Sequence, residues 1–268
     1  MSYFICPVCK SELILCGKAY ICLNRHSFDV SKEGYVNLLM SQKSSQKRHG
    51  DDSFMVRCRR DFLRKGFYKR LSDGICEAVK ADVPDNGVVL DIGCGEGYYT
   101  EAISCGDAFN VCGIDISKNA LKYASKSLKN VDFAVASAFS LPFACESADC
   151  VLSVFAPSCY EEFHRVLKSD GVLIKAVPLE DHLWELKCAL YDKPYKNKPE
   201  LRNDELFKLI SVNEIKYEIS LTSSEDIMNL FGMTPYYYKT GRAEAEKLLR
   251  KTELKTTVHF GVEIYEKR

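Results

Sequence analysis

Four residues near the N-terminus have the types and spacing of a metal site. Cys6 and Cys9 are two residues apart, Cys22 follows after twelve more, and His26 after a further three, a C-x2-C-x12-C-x3-H pattern. Thiolate and imidazole donors in two close pairs suit tetrahedral zinc, each pair closing a chelating turn. The stretch between the pairs carries Leu13, Ile14, Leu15, Ala19, Tyr20 and Ile21 and reads as a hairpin. Its core is too small to fold without the metal. Since protein fills all four positions, one structural ion is expected; a hydrolytic centre needs an open position. Cys16 is the spare thiol between the pairs. A redox role for Cys6 and Cys9 lacks a surrounding βαβ unit, and chance placement of four unligated residues is the bland alternative.

A second constellation lies at Val88-Val89-Leu90-Asp91-Ile92-Gly93-Cys94-Gly95-Glu96-Gly97, a β-branched run that enters a glycine-rich turn before the helical YYTEAIS. Glycines let a backbone turn tightly and approach a ligand that a Cβ would block. The spacing is G-x-G-x-G after a strand-terminal acid, not the G-x-G-x-x-G of a dinucleotide site. Asp91 would repel a pyrophosphate but suits the ammonium of an amino-acid ligand. Val111–Asp115 ends a second strand in an acid placed to take two ribose hydroxyls, with Ile116 beside it for an adenine face. Asp115 could equally cap the helix SKNALKYASKSL.

The elements that position these residues alternate. Strands are expected at Val88–Ile92, Val111–Asp115, Val131–Val135 and Asp149–Val154, with Phe155-Ala156-Pro157 at the end of the fourth. A helix over EEFHRVLKSDG and a fifth strand, GVLIKAVP, follow. From Tyr217 onward come a strand (KYEISLT), a helix (SSEDIMNLF), the aromatic turn Met233–Tyr238, a helix (AEAEKLLRK) and a last strand (VHFGVEIYEK). Such alternation specifies an α/β fold with a mostly parallel, doubly wound sheet and ligands at the strands' carboxyl ends.

Composition sets the frame. A chain of 268 residues, 46% apolar, can hold an α/β domain and a small module. The expected division is a zinc module over 1–40, a polar Ser/Gln/Lys-rich linker over 41–53, and the α/β domain over 54–268. No export signal precedes the odd set of 13 cysteines, and no apolar run reaches membrane-spanning length. A soluble cytoplasmic protein with reduced thiols and no membrane contact is therefore expected.

Net charge is zero, yet it is unevenly placed. Lys43, Lys47, Arg48, Arg57, Arg59, Arg60, Arg64, Lys65, Lys69 and Arg70 face only Asp51, Asp52 and Asp61, a local excess of about seven positive charges. A charge run is usually a solvated helix face. Beside a zinc knuckle it also suits phosphate contacts, with Arg57, Arg59, Arg60, Arg64 and Lys65 as candidate RNA ligands.

With both halves in view, the sequence resembles the RlmA (RrmA) family of bacterial 23S rRNA guanine-N1-methyltransferases. The resemblance runs through the zinc knuckle, HSFDVSKEGYVNLL, FLRKGFY, LDIGCGEGYYT, FAP, HLWELK and MTPYYY. LDIGCG alone marks a generic methyltransferase, whereas KEGYVNLL beside the knuckle is far more specific. The resemblance implies a class I S-adenosylmethionine-dependent methyltransferase fold, Rossmann-like with a mostly parallel seven-stranded sheet. It assigns zinc to Cys6, Cys9, Cys22 and His26, and cofactor contacts to Tyr68, Gly95, Glu96 and His182. Asp91, Gly93, Gly97 and Asp115 join them from the glycine turn and second strand. Two positions depart from the pattern: Ser137 stands where an acid usually precedes Leu141-Pro142-Phe143, and KSDG replaces the family's KPGG turn.

In that family the substrate is a guanine in a hairpin loop of 23S rRNA. Guanine N1 is protonated near neutrality and lies on the Watson–Crick edge, so the base must be unpaired or extruded and must lose that proton. Glu161 and Glu162 lie near the pocket, and either reads equally as a solvent-facing helix residue. Without a [DN]-P-P-[FY] motif at Phe155-Ala156-Pro157, an exocyclic amine is a poor substrate, and Cys159 lacks the Pro-Cys context of pyrimidine C5 enzymes. Two other readings stand at this point: a small-molecule methyltransferase, which leaves the zinc knuckle unexplained, and a non-catalytic zinc-dependent rRNA-binding protein. A homodimer is compatible with either.

Overall fold

The computed structural model describes residues 3–40 and 50–268. The N-terminal part forms β1 (Leu13–Cys16), β2 (Ala19–Cys22) and β3 (Ser27–Asp29), an antiparallel sheet in that order. The hairpin expected between the cysteine pairs is β1-β2, in register from Leu13 opposite Cys22. The chain then enters β4 (Tyr35–Asn37), which joins the main sheet.

Next come α1 (Ser53–Arg64) and α2 (Lys69–Asp82), with the break between them at Gly66. Asp52 caps α1 by accepting from the amides of Phe54 and Met55. The alternating part follows as β5 (Val88–Ile92), α3 (Tyr98–Ser104), β6 (Asn110–Asp115), α4 (Lys118–Ser127), β7 (Asp132–Val135), β8 (Ala148–Val154), α5 (Tyr160–Val166) and β9 (Leu167–Pro178). The chain closes with α6 (Trp184–Leu190), β10 (Phe207–Leu221), α7 (Ser224–Gly232), α8 (Tyr236–Lys239), α9 (Arg242–Leu249) and β11 (Leu254–Lys267).

The main sheet has eight strands in the order β10-β11-β9-β8-β5-β6-β7-β4. Pairs from β9 through β4 are parallel, and β11 and β10 add an antiparallel edge. The central strands are buried on both faces, as parallel strands covered on both sides require. One face packs Val89, Leu152 and Ile174 with Phe62, Leu71 and Ile75 of α1 and α2. The other packs Leu90, Val151 and Leu173 with Phe163 of α5 and with Phe4 and Leu13 of the zinc module. The order of connections reverses between β5 and β8, opening a crevice at their carboxyl ends.

Several elements differ from the sequence reading. The expected seven-stranded sheet gains an eighth strand, β4, so the first 40 residues share a sheet and a core with the α/β part. Residues 41–49 of the expected linker, with Lys43, Lys47 and Arg48, lie outside the described residues. The helix expected over EEFHRVLKSDG ends at Val166, because Leu167 turns extended and starts β9. The last two strands are longer than expected, since β10 begins at Phe207 and β11 at Leu254. Much of β10 is half-exposed and carries polar residues, so its apolar alternation is weak.

The module's seat is held by one arginine. Arg165 donates to both carboxylate oxygens of Glu162 (2.7 and 2.8 Å) and to the carbonyls of Phe143 (2.8 Å) and Leu141 (3.1 Å). Glu162 in turn accepts from the Leu141 amide, and Ile5 of the module donates to the Pro142 carbonyl. Arg165→Met leaves two carbonyls and a carboxylate without their donor and is expected to destabilise the fold by roughly 2–3 kcal/mol. Urea denaturation checks this; an unchanged midpoint would show that the network holds nothing.

Candidate active site and metal centre

The four predicted zinc ligands converge. The Sγ atoms of Cys6, Cys9 and Cys22 and a ring nitrogen of His26 all lie within 4.8 Å of one another. His26 Nδ1 is 3.5 Å from Cys6 Sγ and 3.4 Å from Cys22 Sγ, and the Cys9 and Cys22 sulfurs are 3.6 Å apart. Those separations match the edges, about 3.5–3.8 Å, of a tetrahedron drawn from usual zinc–sulfur and zinc–nitrogen lengths. The residues therefore fit a closed structural zinc site. Lys10 and Arg25 adopt left-handed backbone at the two knuckles (φ 64° and 62°), which folds each pair of donors inward. Hydrogen bonds from the Ser11 hydroxyl and amide pull the Cys9 thiol down to about 5, which favours the thiolate that binds metal. Cys16 is exposed and outside the cluster.

The crevice at the strand ends is a cavity of about 440 Å³. Its floor is the glycine turn. The Gly93 and Cys94 amides both donate to the Ile114 carbonyl (2.8 and 3.0 Å), and the Gly95 amide donates to Asp115 Oδ2 (3.0 Å). Gly93 has φ 81°, and a Cβ there would lie 2.5 Å from that of Ala156, so only glycine fits.

Five of the eight predicted cofactor residues line this cavity: Tyr68, Gly93, Gly95, Glu96 and His182. Asp91 instead turns into the core and accepts from Thr100 Oγ1 at 2.6 Å; burial pushes its carboxyl up to about 7 despite that bond. Gly97 starts α3 with a left-handed φ of 92°. Asp115 has both oxygens engaged by backbone amides, of Gly95 and Ser117, and Ser117 rather than Asp115 caps α4. Residues 50–51 pack over the neighbouring Ile116 and Ser117, and Ser117 Oγ donates to the Asp51 carbonyl. Ser137 takes the Phe139 amide within its own turn.

Further lining comes from Tyr99, just past the glycine turn, and from segments distant from it that the sequence does not bring together, with Ser153, Phe155, Lys175 and Tyr236. Arg59, read as an RNA contact, also lines the cavity, where it pairs with Asp51 at 2.8 Å and donates to the Met233 carbonyl. The signal for it was its position between Met55 and Leu63 on the apolar stripe of α1. Of the other candidate RNA ligands, Arg57, Arg64 and Lys65 are exposed, Lys65 pairing with Asp226. Arg60 pairs with Asp61 and stacks over Tyr123.

The cavity fits the amino-acid end of S-adenosylmethionine. The Tyr68 and Tyr99 hydroxyls are buried without a partner among the described residues, so each leaves a donor for a ligand. With Arg59 they would hold a carboxylate. Glu96, the one carboxylate among the described residues that line the cavity, is pushed up to about 7 by burial against the pull of Arg59, and would hold the ammonium. His182 Nδ1 accepts from the His259 amide at 3.3 Å, which assigns the ring proton of the neutral form to Nε2. Burial holds its pKa down at about 3, so it is a donor and not a base near neutrality.

Two outcomes follow. Chelation is expected to release one zinc per chain and to lower the melting temperature, because the small hairpin cannot hold the knuckles alone; a melting curve indifferent to chelator would count against the site. Glu96 is largely protonated below about pH 7, whereas pairing with an ammonium needs the carboxylate. Affinity for S-adenosylhomocysteine should therefore rise with pH through this range, and Glu96→Gln should weaken binding and flatten the rise. Calorimetry across pH checks this, and a flat wild-type profile would refute it.

Comparison with known proteins agrees with both halves. Residues 90–175 match the family described as "Methyltransferase domain", and residues 4–47 the one described as "RlmA, N-terminal". The YxjB protein of Bacillus subtilis is 42% identical over 204 residues, spanning 72% of this chain and 71% of its own length. The 23S rRNA (guanine(748)-N(1))-methyltransferase of Streptomyces fradiae is 34% identical over 195 residues, spanning 70% and 68%. Among solved structures, YcgJ of Bacillus subtilis superposes with a TM-score of 0.51 at 20% identity, covering 74% of this chain and 99% of its own, a likeness of fold. The chain, with its zinc knuckle and its strand-end cavity, belongs to the RlmA family of 23S rRNA (guanine-N1)-methyltransferases.

Proposed function

We propose that this protein transfers a methyl group from S-adenosylmethionine to N1 of one guanine in a hairpin loop of 23S rRNA, in the bacterial cytoplasm. The observation that carries this reading is the 34% identity, over 70% of the chain, to an enzyme named for that reaction. The union of zinc knuckle and strand-end cavity in one chain supports it. A small-molecule methyltransferase has no need of the first, and a passive RNA-binding protein has no need of the second. No helix among the described residues is long and apolar enough to cross a membrane.

The bound cofactor supplies an activated methyl on a sulfonium, so positioning carries much of the rate. Tyr68, Glu96 and Arg59 orient its amino-acid end from the glycine-turn side of the cavity. His182 offers its Nε2 proton to an acceptor on either ligand. Glu162 is taken up by Arg165 and the Leu141 amide, and Glu161 is exposed and off the cavity wall. Neither is placed to take the N1 proton. Arg57 and Arg64, exposed on α1, and the zinc module supply an RNA-facing surface, since hairpin loops present splayed bases and dense phosphates.

Purified protein with labelled cofactor is expected to methylate deproteinised large-subunit RNA at N1 of a single guanine, mapped by arrest of primer extension. Label found only in a small metabolite would favour the rival enzyme reading and sink this one. The same preparation gives the mass in solution that tests a homodimer.

A further inference from the structure

Phe155 ends β8 at the cavity and has a backbone that phenylalanine rarely adopts, φ 54°. The conformation is fixed from both sides. Its amide donates to the Ala176 carbonyl of β9 at 3.1 Å, and the next residue, Ala156, lies under the Gly93 turn, where an added Cβ would be 2.5 Å away. Burial does not compensate for this strain, since Phe155 is 44% exposed among 23 lining residues whose other aromatics are better covered or lie elsewhere on the wall. The covered part of its ring is backed by Phe260, at 5.6 Å between centroids, and by His182, whose ring lies nearly parallel at 23°. Strain held by its surroundings at a ligand cavity is a pointer to function.

We propose that the exposed face of Phe155 is the platform on which the target guanine stacks once it leaves the RNA, a residue role that rests on the rRNA reading above. Three features point to a base rather than the cofactor. The polar groups that suit the cofactor's amino-acid end, Tyr68, Tyr99, Arg59 and Glu96, come from α1, the turn before α2 and the α3 side of the cavity. Phe155 lies instead at the ends of β8 and β9. Its free face is apolar, flat and rigid, as stacking of an unpaired purine requires.

The test compares wild type with Phe155→Ala, Phe155→Leu and Phe155→Tyr, using deproteinised large-subunit RNA as substrate and S-adenosylhomocysteine as the calorimetric probe. The alanine and leucine variants are expected to raise KM for RNA, or lower kcat/KM, by about tenfold or more, as loss of one stacked base implies. Tyrosine, which keeps the π face, should restore it. Affinity for S-adenosylhomocysteine should stay within about twofold throughout, which also shows that each variant folds. If wild type methylates the RNA and the alanine variant matches it, the platform is refuted and the rRNA reading stands. If affinity for S-adenosylhomocysteine falls in step with RNA turnover, Phe155 belongs to the cofactor side and the proposal is overturned. A wild-type protein that labels no RNA overturns both.

Discussion

The Ile114 carbonyl and the Asp115 carboxylate take hydrogen bonds from three consecutive amides, those of Gly93, Cys94 and Gly95, and this clamp sets the geometry of everything above the sheet. It ties the end of β5 to the end of β6 and forces the turn into left-handed backbone that only glycine adopts without strain. The tightness of the turn lets Ala156 approach Gly93, and that contact in turn fixes Phe155. Glu96 and Tyr99 follow directly from the same turn, so their positions are set by backbone bonds rather than by side-chain packing. Asp115, read from sequence as a ribose ligand, is here first a structural acceptor; each of its oxygens already takes one amide, which orients the carboxylate for any further bond.

The zinc module is bound to the rest of the chain by the same kind of economy. One face of the main sheet, which doubly wound folds cover with helices, is covered here by α5 together with Phe4, Leu13 and Tyr20 of the module. Phe4 packs on Phe143 at 5.5 Å, in the segment that Arg165 holds, and β4 pairs with β7 three residues deep. Metal ligation fixes the knuckles, and the shared core fixes the module on the domain. If RNA meets the module and α1 as proposed, their charges stand at set separations, which would fix the register of a bound loop.

Those features of the site that depend on local chain geometry were legible in the sequence. The zinc ligands and the glycine turn each occupy a short span, so residue type and spacing reveal them. Tyr68 and His182 came from family resemblance alone, because the contacts that bring them together, through Phe260 of β11, cross most of the chain. Arg59 stands in the sequence as one charge of a basic run, and its place in the cavity shows only in helical periodicity: its side chain follows the apolar stripe of α1 inward and meets Asp51. Asp91 looked like a ligand contact, yet a strand-end residue can face either layer, and this one meets Thr100. The extra strand β4 and the full length of β10 escaped notice because short or half-exposed edge strands carry little apolar pattern.

The polar groups of the cavity imply that the free protein carries a free-energy cost relieved by its ligands. Tyr68, Tyr99 and Ser153 bury hydroxyls without partners among the described residues, and burial holds Glu96 partly protonated near neutrality. A buried donor left unsatisfied costs on the order of 1–3 kcal/mol, so several in one cavity would be selected against unless something regularly fills it. Phe155 adds backbone strain at the same place. These costs gather around one crevice, whereas the seat of the zinc module on the opposite face of the sheet is held by the paired network of Arg165 with Glu162. A ligand that pairs with these hydroxyls and with Glu96 gains those bonds on binding, so the groups that are costly to bury become the source of affinity for what the cavity holds.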